Sequence, residues 1–126
     1  MSVELSVYPL AKTFTGRDVR EAFADFATEA EGGLLLQFGP DDTSFLRFEC
    51  DHEDVTDSFT VERPCGDARL YEALYRFMTF HHAVLVSADL DPPVRVATES
   101  DFAVARVLAI PVAQIRVVHG ADALLA

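Results

Sequence analysis

Residues 3–8 alternate apolar and polar side chains, the period of a half-buried strand, and Pro9 closes the run. Thr15 stands three residues before Asp18, a capping-box spacing with Asp in place of the usual Glu. Val19, Ala22, Phe23, Phe26 and Ala30 then recur at helical spacing, which predicts a helix that ends at Gly32-Gly33. Leu34 to Phe38 is a near-continuous apolar run and reads as a central strand covered on both faces. Gly39-Pro40-Asp41-Asp42 is turn chemistry. Ser44 to Cys50 alternates again, with Leu46, Phe48 and Cys50 on one face and Arg47 and Glu49 on the other.

The acidic stretch Asp51-His52-Glu53-Asp54 reads as a loop, and Phe59, Val61 and Arg63 as a strand stopped by Pro64. Asp67 can cap a second helix, in which Leu70, Leu74, Phe77, Met78 and His81 form one stripe widened by Tyr71 and Tyr75. Ala83 to Ser87 is a short apolar strand, residues 89–93 turn the chain, and Val94 to Ala97 extends again. Thr98 and Asp101 repeat the cap spacing before Phe102, Val104, Ala105 and Leu108, a third helix ended near Pro111. Gln114 to His119 reads as a last strand.

The sum is one α+β domain over residues 1–126, a mostly antiparallel sheet with two or three helices. A faint echo relates residues 1–50 to 57–97: Val19, Phe23, Phe26 and Leu34 fall on Leu70, Leu74, Phe77 and Leu85, without one identity. It suggests a duplicated β-α-β-β unit followed by a C-terminal helix and strand.

Composition narrows the job. The chain carries 21 acidic and 10 basic side chains, a formal charge of −11. Such an excess opposes binding to nucleic-acid phosphates or an anionic membrane and attracts basic proteins. No apolar run approaches the ~20 residues that cross a bilayer, no export signal is apparent, and two cysteines outside any CxxC suit a reducing compartment. A cytoplasmic protein is the expectation.

Motifs for nucleotide, zinc-protease and serine-hydrolase chemistry are absent from the sequence, so neither catalytic residue, cofactor nor metal ligand is assigned. The spacing around Cys50 to Asp57 fits neither zinc nor calcium. His81-His82 suits a helix C-terminus. Cys65, before a helix start, could carry a reactive thiol. Phenylalanines with Tyr71 and Tyr75 could line an apolar pocket.

The leading expectation is a small binding protein, inhibitor- or immunity-protein-like, that engages a basic partner through Asp41, Asp42, Asp51, Glu53, Asp54, Asp57, Asp89 and Asp91. Carboxylates steer such a partner and occupy its cationic cleft. The alternative is a small-ligand protein or metal-assisted enzyme, with a site between the two halves using His52, His81, His82 and Glu49. A homodimer through Val112, Ile115, Val117 and Val118 is a third expectation.

Overall fold

The computed structural model describes residues 4–126; Val3, which the alternation places in the first strand, lies outside them. The strands are β1 (Glu4–Pro9), β2 (Phe14–Thr15), β3 (Ala27–Ala30), β4 (Gly33–Gln37), β5 (Thr43–Arg47), β6 (Val55–Thr56), β7 (Phe59–Glu62), β8 (Ala83–Val86), β9 (Val94–Val96) and β10 (Ile115–Val117). The helices are α1 (Gly16–Ala22), α2 (Ala68–His81) and α3 (Glu99–Val107). Eight strands form one sheet in the order β10-β9-β8-β1-β7-β5-β4-β3, antiparallel except for the β9–β10 pair, and β2 and β6 make a separate two-stranded ribbon. The chain is therefore α+β, with a mostly antiparallel sheet and three helices.

The two faces of the sheet are covered unequally. On one face Leu5, Val7, Leu34, Leu36, Leu46, Phe59, Val61 and Leu85 pack with Val19 of α1 and Leu70, Leu74, Phe77 and Met78 of α2. Side chains alternate along a strand, so the neighbours of these residues point the other way. There Val84, Val94, Val96 and Ile115 form a second, smaller core with Ala105 of α3. The helix α3 thus covers only the β8–β10 end. Beyond it, β1, β7, β5, β4 and β3 leave their second face open.

Local chemistry accounts for the helix starts. Thr15 and Asp18 make both bonds of a capping box, and Asp67 accepts from the Arg69 N–H. At α3 only half of the expected pair forms: Thr98 accepts from the Asp101 N–H, while the Asp101 carboxylate turns to His82 instead.

Three expectations fail. The first helix stops at Ala22, and residues 27–30 form β3, antiparallel to β4. Gly32, at a φ of +82°, lets the two strands close a tight hairpin, and ladder pairing with β4 outweighs the helical spacing of Phe26 and Ala30. The run Leu34 to Phe38 is not covered on both faces, because Leu35 points to the open face and is 39% exposed. The strand expected to run through Arg63 ends at Glu62, with Arg63 at a φ of +50°; the third helix forms as expected, with Ala105 and Asp101 its buried positions and Val104 and Leu108 exposed.

The echo aligns β4 with β8. In the sheet β8 lies beside β1, whereas β5 separates β4 from β7.

Candidate functional site: an uncovered sheet face

The strand directions sort the acidic turns. The β4–β5 and β8–β9 turns, bearing Asp41, Asp42, Asp89 and Asp91, lie at one end of the sheet. The β5–β7 connection, bearing Asp51, Glu53, Asp54 and Asp57, lies at the other. The eight carboxylates therefore form no single patch.

Two hold the fold. Asp51 Oδ1 accepts from the N–H groups of Glu53 and Val55, which closes its own loop. Asp54 Oδ2 accepts from the Arg17 N–H in the first turn of α1, and Oδ1 lies 3.6 Å from Arg20 Nη1. The approach is close around Gly16: a Cβ there would fall 2.5 Å from Asp54 Oδ1 and 2.7 Å from Cys50 Sγ, so those side-chain ends would have to shift. Burial, reinforced by Asp54, pushes the Cys50 thiol pKa up, which keeps it protonated and unreactive.

The histidines do not converge. His52 is exposed beside Glu53. The His81 ring packs 4.3 Å from the Phe77 ring and 4.8 Å from the Phe80 ring. His82 Nδ1 lies 3.0 Å from Asp101 Oδ1. The pair ties the end of α2 to the start of α3. Glu49 and His119 are exposed. Cys65 is half-buried, its N–H bonded to Ser44 and its carbonyl to the Tyr71 hydroxyl. Among the described residues no three His, Cys, Asp or Glu side chains are grouped to hold a metal.

What the fold does assemble is the open face. Register places Ser6 opposite Thr60 and Val86, Glu4 opposite Glu62, Phe45 opposite Leu35 and Glu62, and Arg47 opposite Thr60. Ser6 and Thr60 hydroxyls share a hydrogen bond of 3.0 Å at its centre. Tyr8, Phe45, Leu35 and Val86 give it exposed or half-buried apolar area. Two shallow recesses flank that centre. One, of about 290 Å³, is lined by Glu4, Ser6, Tyr8, Val86 and Asp89. The other, of about 320 Å³, is lined by Arg47, Glu49, Asp57, Ser58 and Thr60.

Charge on this face is one-sided. Glu4 and Glu62 sit directly opposite each other, an arrangement that costs stability between like charges. Arg47, 3.4 Å from Glu62, offsets part of it. Glu49, Asp57 and Asp89 stand at the margins. Of the expected eight acids, only Asp57 and Asp89 line these recesses. Glu4 and Glu62 were missed; alternation already set both at outward positions, but only the pairing of β1 with β7 brings them together.

No helix of the described residues is long and apolar enough to cross a membrane. No family description, curated protein or solved structure matches the chain.

Proposed function

We propose that this chain is a binding protein whose uncovered sheet face receives a basic protein partner, as an inhibitor or immunity protein receives its target. The observation that supports it is the open five-stranded face, where Glu4 and Glu62 are juxtaposed beside Phe45, with Tyr8 farther along β1 and, among the described residues, Arg47 the cation paired with Glu62. A partner's lysines or arginines would relieve the Glu4–Glu62 repulsion, and their apolar stems and neighbours would cover the aromatic rings. The remaining charge of the chain would steer the approach, so association slows as salt rises.

The test is capture from native lysate with the tagged chain at about 50 and about 300 mM salt, the range over which surface charges become screened. The expected result is a basic protein bound one-to-one and lost at the higher salt. Glu4→Gln/Glu62→Gln/Phe45→Ala should lose it, while Glu21→Gln/Asp25→Asn, on the helix-covered side, should keep it. Equal capture by both variants would overturn the assignment of the face. Failure of the wild-type chain to capture any basic protein would overturn the function.

A further inference from the structure

We infer that the free edge of β3 is a docking site for an extended cationic segment, which adds to the sheet as a further strand. Among the described residues β3 stands last in the strand order, with β4 on one side and no strand on the other. Hydrogen bonding along it alternates. The Gln37 N–H donates to the Phe26 carbonyl, at the end of the ladder that pairs Ala27 with Leu36, Thr28 with Leu35, Glu29 with Leu34 and Ala30 with Gly33. In an antiparallel pair every second residue turns both backbone groups to its neighbour. Phe26, Thr28 and Ala30 therefore face β4, while Ala27 and Glu29 present their N–H and C=O groups outward. Such a row is a template for an added strand.

The side chains of the edge specify that strand. Glu29 stands opposite Leu34 of the larger core, so it lies on the helix-covered side, where Arg20 of α1 pairs with it. Glu31 follows in the hairpin turn and is exposed. Thr28, opposite the exposed Leu35, lies on the open face with Ala30. An occupant would therefore alternate: lysines or arginines toward Glu29 and Glu31, short apolar side chains beside Thr28 and toward Leu35. An acidic strand would set like charge against like, which costs stability. A second copy fails for the same reason, because β3 against β3 brings Glu29 and Glu31 of each chain together between two bodies at −11. Ile115 and Val118, expected at a contact between copies, are buried in the chain's own cores. The opposite edge, β10, is three residues long and carries Arg116 in place of an acid.

The site rests on the reading of a basic partner, which would supply this strand at the margin of the face it covers. A peptide probe tests the edge without the partner, so the two can fail separately.

Amide hydrogen exchange of the full chain, followed by NMR, reads the edge. The probe is a short peptide alternating lysine with valine, at up to about 1 mM so that weak binding registers. In the free chain the Ala27 and Glu29 amides should exchange faster than those of Thr28 and Ala30, which the β4 ladder protects. The probe should slow Ala27 and Glu29 about tenfold or more, and a peptide alternating glutamate with valine should not. Ala27→Pro deletes one outward N–H at the first residue of the strand, where proline is tolerated. It should weaken the probe about tenfold with an unchanged circular dichroism spectrum. Glu29→Gln/Glu31→Gln, which keeps the backbone intact, should weaken it about threefold or more. Glu4→Gln/Glu62→Gln/Phe45→Ala, at the centre of the open face, should bind it as the wild type does. No binding, or binding that leaves the Ala27 and Glu29 amides unprotected, would overturn the site. So would equal affinity in Ala27→Pro and Glu29→Gln/Glu31→Gln. Protection at the edge of a chain that captures no basic protein would overturn the proposed function and leave the edge site standing.

Discussion

Arg95 is the least expected residue of the core, a guanidinium only 1% exposed on a strand between two buried valines. It points to the α2 side of the sheet, opposite Leu85, and none of its hydrogen bonds goes to an Asp or Glu side chain. Nε donates to the Pro92 carbonyl at 3.1 Å and Nη1 to the Ala126 oxygen, with longer contacts of 3.4 Å to the Leu124 and Asp91 carbonyls. Burial, with Arg116 nearby, draws its pKa below the ordinary arginine value, opposed by Asp91. The side chain thus fastens the β8–β9 turn to the last residues, including the fully buried Leu124.

Arg95→Met keeps the apolar stem and removes the donors. Hydrogen bonds from a charged group contribute about 1.5–3 kcal/mol each, and a buried carbonyl left without a donor costs about 1–3 kcal/mol. Relief of guanidinium desolvation works the other way, by a few kcal/mol. Two short bonds and one stranded buried carbonyl outweigh that relief, for a net loss of about 2–3 kcal/mol. Equilibrium urea unfolding measures it, and hydrogen exchange should show residues 121–126 opening first. Arg95→Lys should recover little, since one ammonium cannot reach both the turn and the final residues. If Arg95→Met unfolds at the wild-type urea concentration or higher, desolvation dominates and the fastening argument is wrong.

Two further perturbations test the scaffold. A Cβ on Gly33 would lie 1.9 Å from the Leu46 carbonyl oxygen, whereas Gly66 has open space around it; Gly33→Ala should cost about 1–3 kcal/mol as overpacking does, lowering Tm by about 5 °C or more, and Gly66→Ala should not, so equal melting points would refute the close approach of β4 and β5. Bonds from the Arg69 side chain and backbone hold the Asp67 carboxyl at about 2, below its ordinary 3.8, so its stabilisation is complete above pH 3.8 and lost as pH falls through about 2; the Tm gap between wild type and Asp67→Asn should close over that window, and a gap constant from pH 6 to 2 would remove the cap from the acid response.

Most of the fold could be read from periodicity, because alternation and helical spacing report which side of an element is buried. The capping residues Thr15, Asp67 and Thr98 mark all three helix starts. What could not be read depends on contacts distant in sequence. Residues 27–30 carry a helical pattern locally and become β3 because β4 supplies a ladder. The apolar Leu35 says nothing about whether anything covers it. The candidate site suffers most: Glu4 and Glu62 are 58 positions apart and become neighbours only through strand order. Conversely, Asp51 and Asp54 look like free surface charge in the sequence and serve as loop and helix-end acceptors in the fold.

The uncovered face follows from lengths. At about 1.5 Å per residue, the nine residues of α3 span only about 14 Å, and its buried Ala105 packs among Val84, Val94, Val96 and Ile115. It lies over β8, β9 and β10 and can reach no further. On the remaining strands the outward positions are filled by Glu4, Ser6, Glu62, Arg47, Thr43, Gln37 and Thr28, which water solvates without a covering helix, and by the buried Thr60, whose hydroxyl pairs with Ser6. Tyr8, Phe45 and Leu35 break that polar pattern, and the Glu4–Glu62 pairing works against the stability of the two central strands. Folding alone favours neither feature at those positions. A cationic, partly apolar surface laid across β1, β7 and β5 would turn both to advantage, because it brings the counter-charge and the cover that the chain does not provide for itself.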